Sequence, residues 1–505
     1  MKYVVTAAQM QQADNYTSEK IGLPSLVLME RAALSAADEI CKRFDGIQRA
    51  FKACIVCGNG NNGGDGFALG RILSERGFAV HFFVVKEDGK CSDSNRVQRE
   101  ILEKLGYAVS TEQPVGEYDI IVDAIFGTGL CREVAGCYRE MIAYMNEMQG
   151  FKVALDIPSG IHSDDGTVLG CAFRADLTVT FGFYKWGHLL YEGKDYCGKT
   201  VCCNIGIPEK SLCGQPPYGR MLEREDIKVY LPKRIANSHK GTYGRAGIMA
   251  GSVQMGGAVA LCSDAAMRTG VGYTKVMTAE ENRNLLLSTR PEVLFYPVGE
   301  GRFPIEKFSD CNAIAAGPGM GTGKSAQKQI EALLDKEADC SLVLDADAIN
   351  IMAERQDLKE KLKIYAKRVG EKGYRVILTP HQKEFSRFSG IPMDTKAAKR
   401  HEKALETAAD FGVVLVLKDA VTRIYTPDGI VYVNTTGNPG MSTAGSGDVL
   451  TGIICGLEAQ MKDGVIAAAL GVYIHGRCGD YAAEQENPHA LTAMDMAENL
   501  SYVLK

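Results

Sequence analysis

Two doubly wound α/β domains are the fold that the 505-residue sequence predicts, on three observations. Apolar strand-like runs alternate with segments whose apolar residues recur at helical spacing, the order that gives parallel sheets flanked by helices. Glycine fills 55 positions, more than the usual share of about 7%, and many of these glycines follow directly on strand-like runs, where such folds build their sites. The length also exceeds what one hydrophobic core supports.

The opening residues, MKYVVTAAQMQQADNYTSEK, turn polar too soon for a signal-peptide core, and no apolar run reaches spanning length. A cytoplasmic protein with no membrane partner is therefore expected. Apolar content of 46% and charged content of 24% are those of a globular protein, and a net charge of -5 offers no basic stripe to nucleic acid. Sixteen cysteines are scattered from Cys41 to Cys478. The lone C-x-x-C, Cys54 and Cys57, falls in a strand-like run where that offset points the side chains to opposite faces. Buried reduced thiols are expected there, not a zinc knuckle.

The first chemistry-bearing element is ACIVC followed by GNGNNGGDG at 58–66, then FALGRILSERG with Phe67, Leu69, Ile72 and Leu73 at helical spacing, then FAVHFFVV. Strand, glycine loop, helix and strand in this order satisfy the dinucleotide fingerprint Gly58-x-Gly60-x-x-Gly63, in which glycines let backbone approach a pyrophosphate at a helix N-terminus. Glu87 or Asp88 follows the second strand as that fingerprint asks. Asn61, Asn62 and Asp65 are extra: they put carboxamides and a carboxylate where backbone usually suffices. Two further strands end at Asp123, in IIVDAIFGTGL, and at Asp156, in VALDIPSGIHSDDG. In a parallel sheet these ends share a crevice with the glycine loop, so Asp65, Asp123 and Asp156 are expected to converge, raising one another's pKa or binding a cation. Asn62, Asp123 and Ser159 supply hard oxygens suited to an alkali or alkaline-earth ion. Each aspartate alone has a plainer use as a helix cap.

GNGNNGGDGFALGR, VDAIFGTGL and LDIPSG, in that order, closely resemble the NAD(P)H-hydrate epimerase domain over about residues 1–215. The resemblance implies a Rossmann-like three-layer α/β/α domain. It also implies that Asn61, Asn62, Gly63, Gly64 and Asp65, together with Gly127, Thr128, Gly129, Leu130, Cys131, Arg132 and Glu133, hold the hydrated dinucleotide. Asn62, Asp123 and Ser159 would bind K+, and Asp156 would contact the substrate and move protons at C6 of the hydrated ring.

A boundary is expected near 208–232, where PEKSLCGQPPYGR and YLPKR gather prolines and polar residues. No internal repeat or low-complexity segment interrupts either half. Beyond it, NPGMSTAGSGDVLTGIICGLEAQ carries Val449, Leu450, Ile453, Ile454 and Leu457 on one helix face. This makes Gly445 to Asp448 the loop entering that helix, whose amides favour a transferring phosphoryl group, with Asp448 as base. AAGPGMGTG at 315–323, LVLDADAIN with Asp345 and Asp347, VILTPHQKEF with His381 and Glu384, and VLVLKDAVTRI with Lys418 to Thr422 are further strand-terminal turns. No Walker A sequence appears, which disfavours a P-loop kinase.

SHKGTYGRAGIMAGS, AAGPGMG, TPHQKEF, KDAVT and NPGMSTAGSGD resemble the NAD(P)H-hydrate dehydratase domain over about residues 226–505, departing mildly at Met320, where leucine is commoner. The resemblance implies a ribokinase-like α/β domain of the ADP-using branch. Ala258, Gly319, His381 and Asp448 would contact the hydrated substrate; Lys418, Asp419, Ala420, Val421, Thr422 and Gly447 would hold ADP, with Mg2+ offsetting the phosphate charge. The expected activity is repair of NAD(P)H-hydrate with an adenine nucleotide, by a homo-oligomer. The alternatives are a ribokinase-type kinase of a small alcohol, which would leave a stable phosphorylated product, and a non-catalytic N-terminal module for protein or RNA, for which Asp156→Ala would change no chemistry.

Overall fold

The computed structural model describes residues 1–44, 50–86, 91–212, 219–299 and 303–505. Glu87 and Asp88 lie outside the described residues. The chain divides into two compact units, Lys2–Tyr218 and Gly219–Lys505 with Met1.

The first unit is a seven-stranded parallel sheet in the order Val109–Ser110, Ala79–Val84, Lys52–Cys57, Ile120–Ala124, Phe151–Leu155, Leu177–Phe181, Lys199–Cys203. Numbered along the chain this is 3-2-1-4-5-6-7, so the order reverses between Lys52–Cys57 and Ile120–Ala124. A crevice opens outside the carboxyl ends of strands at such a reversal. Helices Ser25–Phe44 and Asn61–Glu75 cover one face, burying Ile40, Phe67, Leu69 and Leu73 against Ile55, Cys57 and Val122. Helix Cys137–Glu147 covers the other, burying Met141, Ile142 and Met145 against Cys54, Val56 and Ile121. Cys54 and Cys57 thus face opposite sides as their spacing predicts, and burial pushes the Cys54 thiol up to about 12.

One difference from the sequence reading concerns the glycine loop. The turn is short, and the helix already begins at Asn61, so the letters NNGGDG form its first turns. Its glycines keep ordinary helical backbone, and close packing explains them. A Cβ on Gly63 would lie 1.9 Å from the Gly58 carbonyl oxygen, and one on Gly70 would lie 2.2 Å from the Phe82 ring. The helix therefore rides directly on the sheet, a distance only glycine permits.

The second unit repeats the order. From Leu294–Val298 the sheet runs through Tyr273–Ala279, Arg245–Met249, Ala313–Ala316, Ser341–Leu344 and Val376–Leu378 to Val414–Leu417, all parallel. Arg423–Tyr425 and Val431–Val433 then add antiparallel hairpins, and Gly219–Met221 pairs parallel at their far side. Helices Gly256–Arg268, Ser446–Met461 and Gly464–Gln485 bury one face, with Cys262, Ile453, Ile454, Leu470 and Ile474 at 0% exposure. Helices Lys324–Leu334, Asp347–Glu354, Gln356–Gly370, Gln382–Ser389 and Ala397–Phe411 pack on one another and bury Ile330, Leu333, Leu362 and Phe385. No helix among the described residues is long and apolar enough to cross a membrane.

Candidate functional site

In the first unit, the strand-order reversal opens a cavity of about 890 Å³, within the range of ligand pockets. Asn61, Asn62, Asp65, Gly127, Thr128, Gly129, Leu130, Cys131, Arg132 and Asp156 line it. Gly63 and Gly64 do not; they sit beneath, against the Gly58 carbonyl and the Met29 side chain. Glu133 is also outside the lining.

Asp156 follows the strand Phe151–Leu155 at φ 63°, a left-handed conformation held in place by its neighbours. Its N–H donates to the Val179 carbonyl (2.8 Å). Its Oδ1 accepts from Lys185 Nζ (2.6 Å) and the Thr180 hydroxyl (3.0 Å). Lys185, 1% exposed, also donates to Thr180 Oγ1 (2.8 Å) and the Phe181 carbonyl (3.0 Å). Burial alone would raise the Asp156 carboxyl, but Lys185 outweighs it and holds the group below its usual range. His188 completes the arrangement. Its Nδ1 accepts the Lys185 N–H (3.0 Å), which leaves Nε2 to donate to the Asp156 carbonyl (2.7 Å). Burial, then Lys185, pushes the His188 imidazole down to about 4, so the ring is neutral.

Two other acids face the same cavity. Burial raises the Asp65 carboxyl well above its usual range, with Asp156 and Asp14 adding to the shift. Asp14, from helix Ala7–Asn15, is pushed up to about 6, chiefly by burial. The predicted convergence therefore holds for Asp65 and Asp156, with Asp14 joining them. Asp123 lies beneath, at 0% exposure, with Oδ1 accepting from the Ser159 hydroxyl (2.6 Å) and the Ile125 N–H (3.1 Å), and Oδ2 from the Ser159 N–H (2.7 Å). Asn62, 7% exposed, leaves both carboxamide atoms without a protein partner. A Cβ on Gly127 would lie 3.4 Å from the Asn62 Cβ and 3.6 Å from Asp156 Oδ2, so Gly127 bridges the two groups. Asp14, Lys185 and His188 belong to no motif. The only trace of Lys185 in the sequence is a lysine closing the apolar run TVTFGFYK.

In the second unit, strand-end loops bring Asp345, Lys418 and Asp448 together. Asp345 follows Ser341–Leu344; its Oδ1 accepts from Lys418 Nζ (2.8 Å) and its Oδ2 from the Thr451 hydroxyl (2.7 Å). Ala346, at φ 47° and ψ -114°, turns the chain sharply into helix Asp347–Glu354. Asp347 Oδ2 accepts the Gly321 N–H (2.8 Å), pinning the 317–321 turn. As at Asn61, helix Ser446–Met461 starts inside its motif, so Ser446, Gly447 and Asp448 form its first turn, with Gly445 at φ 90° and no side-chain cap on its amides. A Cβ on Gly447 would meet Lys418 Nζ at 3.4 Å. Burial, reinforced by Asp345, pushes Asp448 up to about 7.

Gly319, at φ 61°, packs its backbone against Ala258, where a Cβ would sit 2.8 Å from the Ala258 methyl. His381 caps helix Gln382–Ser389: its Nδ1 accepts the N–H groups of Lys383 (3.1 Å) and Glu384 (3.3 Å), so the neutral ring carries its proton on Nε2. Its side chain is 47% exposed, and burial, then Lys418, lowers its pKa. Lys418 to Thr422 form the hairpin turn after Val414–Leu417, closed by Asp419 Oδ1 accepting the Ala420 N–H (2.8 Å) and Asp419 Oδ2 accepting from Gln382 (3.0 Å); Val421 is buried.

An ion-paired acid in a ligand-sized cavity, and a second acid at an uncapped helix N-terminus beside a lysine, define a two-site α/β enzyme. Residues 246–501 match the family model described as NAD(P)H-hydrate dehydratase, and residues 25–187 match that of the YjeF-related protein N-terminus. The bifunctional NAD(P)H-hydrate repair enzyme of Moorella thermoacetica is 36% identical, with 100% of this chain and 97% of that protein covered. The one from Thermofilum pendens is 34% identical, covering 99% and 96%. A solved ADP/ATP-dependent NAD(P)H-hydrate dehydratase from Bacillus subtilis, co-crystallised with ATP and Mg2+, is 35% identical, covers 56% of this chain and 97% of its own, and has a TM-score of 0.48. The chain belongs to the family of bifunctional NAD(P)H-hydrate repair enzymes.

Proposed function

We propose that residues 1–215 interconvert the R and S epimers of hydrated NADH and NADPH, and that residues 226–505 dehydrate the S epimer at the expense of ADP. The observation that carries the reading is the buried Lys185–Asp156 pair in the wall of a cavity that also gathers Asn61, Asn62 and the turn at 127–132. Asn61 to Asp65 and Gly127 to Glu133 hold the dinucleotide, Gly63, Gly64 and Glu133 supporting it from behind. Asp156, kept ionised by Lys185, accepts the proton of the C6 hydroxyl.

Asn62, Asp123 and Ser159 fit a potassium ion. The buried Asn62 oxygen has no protein partner, and one carboxylate among neutral oxygens suits a single positive charge. Bound by these residues, the ion would supply a fixed positive charge to the site.

In the second unit, Ala258, Gly319 and His381 position the hydrated ring, the His381 Nε2–H serving as donor. Lys418, Asp419, Ala420, Val421, Thr422 and Gly447 hold ADP, and Mg2+ offsets its phosphate charge. Asp448, with its pKa pushed up to about 7, is matched to take the ring hydroxyl proton near neutrality. The hydroxyl receives the phosphoryl group as ADP becomes AMP, and loss of phosphate from C6 together with a proton from C5, released to solvent, restores the ring double bond. First-turn amides of helix Ser446–Met461 face the developing charge. We expect a cytoplasmic homo-oligomer, which light scattering of the purified chain tests.

The experiment is to supply a mixture of both NADH-hydrate epimers with ADP, Mg2+ and K+. Complete return of dihydronicotinamide absorbance with phosphate release is expected. A stable phosphorylated product would point to a small-molecule kinase and refute the repair reading.

A further inference from the structure

We propose that Asp14 is a second catalytic residue of the N-terminal site, giving the ring nitrogen a proton while Asp156 takes one from the ring hydroxyl. The inference rests on the epimerase reading above.

Geometry places Asp14 firmly. Strand Lys2–Val5 pairs in parallel with Tyr184–Lys185, setting Val5 opposite Lys185. Helix Ala7–Asn15 then starts from a capping box of Thr6 and Gln9, and its Ala7 N–H donates to Asp164 Oδ1 (2.6 Å). Met10 and Ala13 are buried, and the next helix position turns Asp14 toward the cavity. A π-helical turn, Tyr16–Ile21, follows at once; such turns are rare and concentrate at functional sites. The family model matches only from residue 25, so Asp14 comes from outside the motif-bearing segment.

What each acid is bonded to divides the work between them. Asp156 is held by Lys185 and Thr180. Asp14 and Asp65 accept no hydrogen bond from any described residue, which leaves their carboxyl groups free for a ligand in the cavity. Asn62, 7% exposed and also unpartnered, lines the same space. Asp65 stands three residues after the potassium ligand Asn62 on helix Asn61–Glu75. Asp14 stands on a separate element, helix Ala7–Asn15, apart from the proposed ion ligands. Its charged or titratable neighbours in the cavity are Asp65, Cys131, Arg132, Tyr138, Asp156 and Lys185. Burial dominates there, pushing its pKa up to about 6, with Lys185 opposing and Asp156 reinforcing the rise.

The step balances. As the C6–N1 bond breaks, the C6 hydroxyl proton passes to Asp156 and the O–H pair becomes the C6=O π bond. The C6–N1 pair moves onto N1, which takes the Asp14 proton. After rotation about C5–C6, N1 attacks the opposite face of the carbonyl, Asp14 recovers its proton and Asp156 returns its own to the oxygen. No oxidant, reductant or net proton is consumed.

The test uses the full chain and the separated R epimer without ADP, following R-to-S conversion by NMR. Asp14→Asn should slow conversion by about 10²–10⁴-fold. Its Trp186 fluorescence and its ADP-dependent use of the S epimer should match wild type, which shows both units folded. The wild-type rate should fall as pH rises past about 6; Asp14→Asn should lose that limb and Asp14→Glu should keep it. Conversion within about threefold of wild type, far below a general acid's usual contribution, or a retained pH limb in Asp14→Asn, overturns the inference and leaves the epimerase reading standing. Failure of the wild type to interconvert the epimers overturns both.

Discussion

Replacing Lys185 with methionine separates the charge of the N-terminal site from its packing. The side chain is 1% exposed and donates to Asp156, Thr180 and the Phe181 carbonyl at 2.6–3.0 Å. Methionine keeps most of the apolar stem and removes the ammonium, leaving Asp156 as a buried charge without its partner. Breaking a buried pair in this way costs about 3–5 kcal/mol. With a urea slope of about 2.5 kcal/mol/M, the midpoint should fall by roughly 1–2 M. The sign with pH follows from ionisation. In wild type the Asp156 carboxyl is depressed, so its ion pair contributes stability above the unfolded pKa and loses it as pH falls through the folded value. In the variant, only the smaller influences of His188 and Thr180 oppose burial, and the carboxyl titrates upward. The deficit should therefore be full near about pH 8 and shrink toward about pH 5 as the group takes a proton. Trp186, the single tryptophan, is buried beside the substitution and reports this unit alone. Urea melts followed by its fluorescence at both pH values give the answer, and R-to-S conversion should be lost in parallel. A deficit equal at the two pH values would mean lost packing, and would refute the argument that Lys185 keeps Asp156 ionised.

Three further expectations follow from the same geometry. Asp448→Asn should reduce ADP-dependent dehydration by about 10²–10⁴-fold with epimerisation unchanged, and wild-type dehydration should decline as pH drops below about 7, where the base takes a proton; a pH-independent rate between about 5.5 and 8 would remove Asp448 from the role. Potassium is expected to stabilise the wild-type N-terminal unit by about 2.7 kcal/mol at a hundredfold excess over Kd, and Asn62→Ala, which deletes the unpartnered carboxamide, should abolish that stabilisation in Trp186 melts; undiminished stabilisation in the variant would place the ion elsewhere. Gly63→Ala puts a methyl 1.9 Å from the Gly58 carbonyl and should cost about 1–3 kcal/mol, and a midpoint unchanged in the same melts would show that the Gly58 turn yields to the added methyl.

The strand ends were legible because each writes a local signature: an apolar run, then glycine or an acid, then helical spacing. Asp156, Asp345 and Lys418 stand directly past such ends, and Asp65 and Asp448 fall in the glycine-bearing segments that open helices Asn61–Glu75 and Ser446–Met461. Helix boundaries were less legible. GNGNNGGDG and GSGD read as loops because glycine is a poor helix former, but in the first of them contact with the sheet at Gly66 and Gly70 overrides propensity. Asp14 and Lys185 could not be read from local pattern. The pairing of Lys2–Val5 with Tyr184–Lys185 joins segments about 180 residues apart, and no spacing rule reports a contact of that range. Asp123 was read for its chemistry, but its depth was not legible: the strand end gives its direction, and only the Ser159 bonds show it sealed from the cavity.

The two units share a strand order and a device but use it differently, and hydrogen bonding explains the difference. Each sets an aspartate just past a parallel strand against a lysine: Asp156 with Lys185, Asp345 with Lys418. Asp156 receives both of its protein donors on Oδ1, so Oδ2 remains free toward Gly127 and the cavity. The ion-paired acid can itself accept a proton. Asp345 has Lys418 on one oxygen and Thr451 on the other. It holds Lys418 beside Gly447 and adds its charge to the rise in the Asp448 pKa. In the proposed mechanism the same pair is the base in one unit and the tuning element for a neighbouring base in the other.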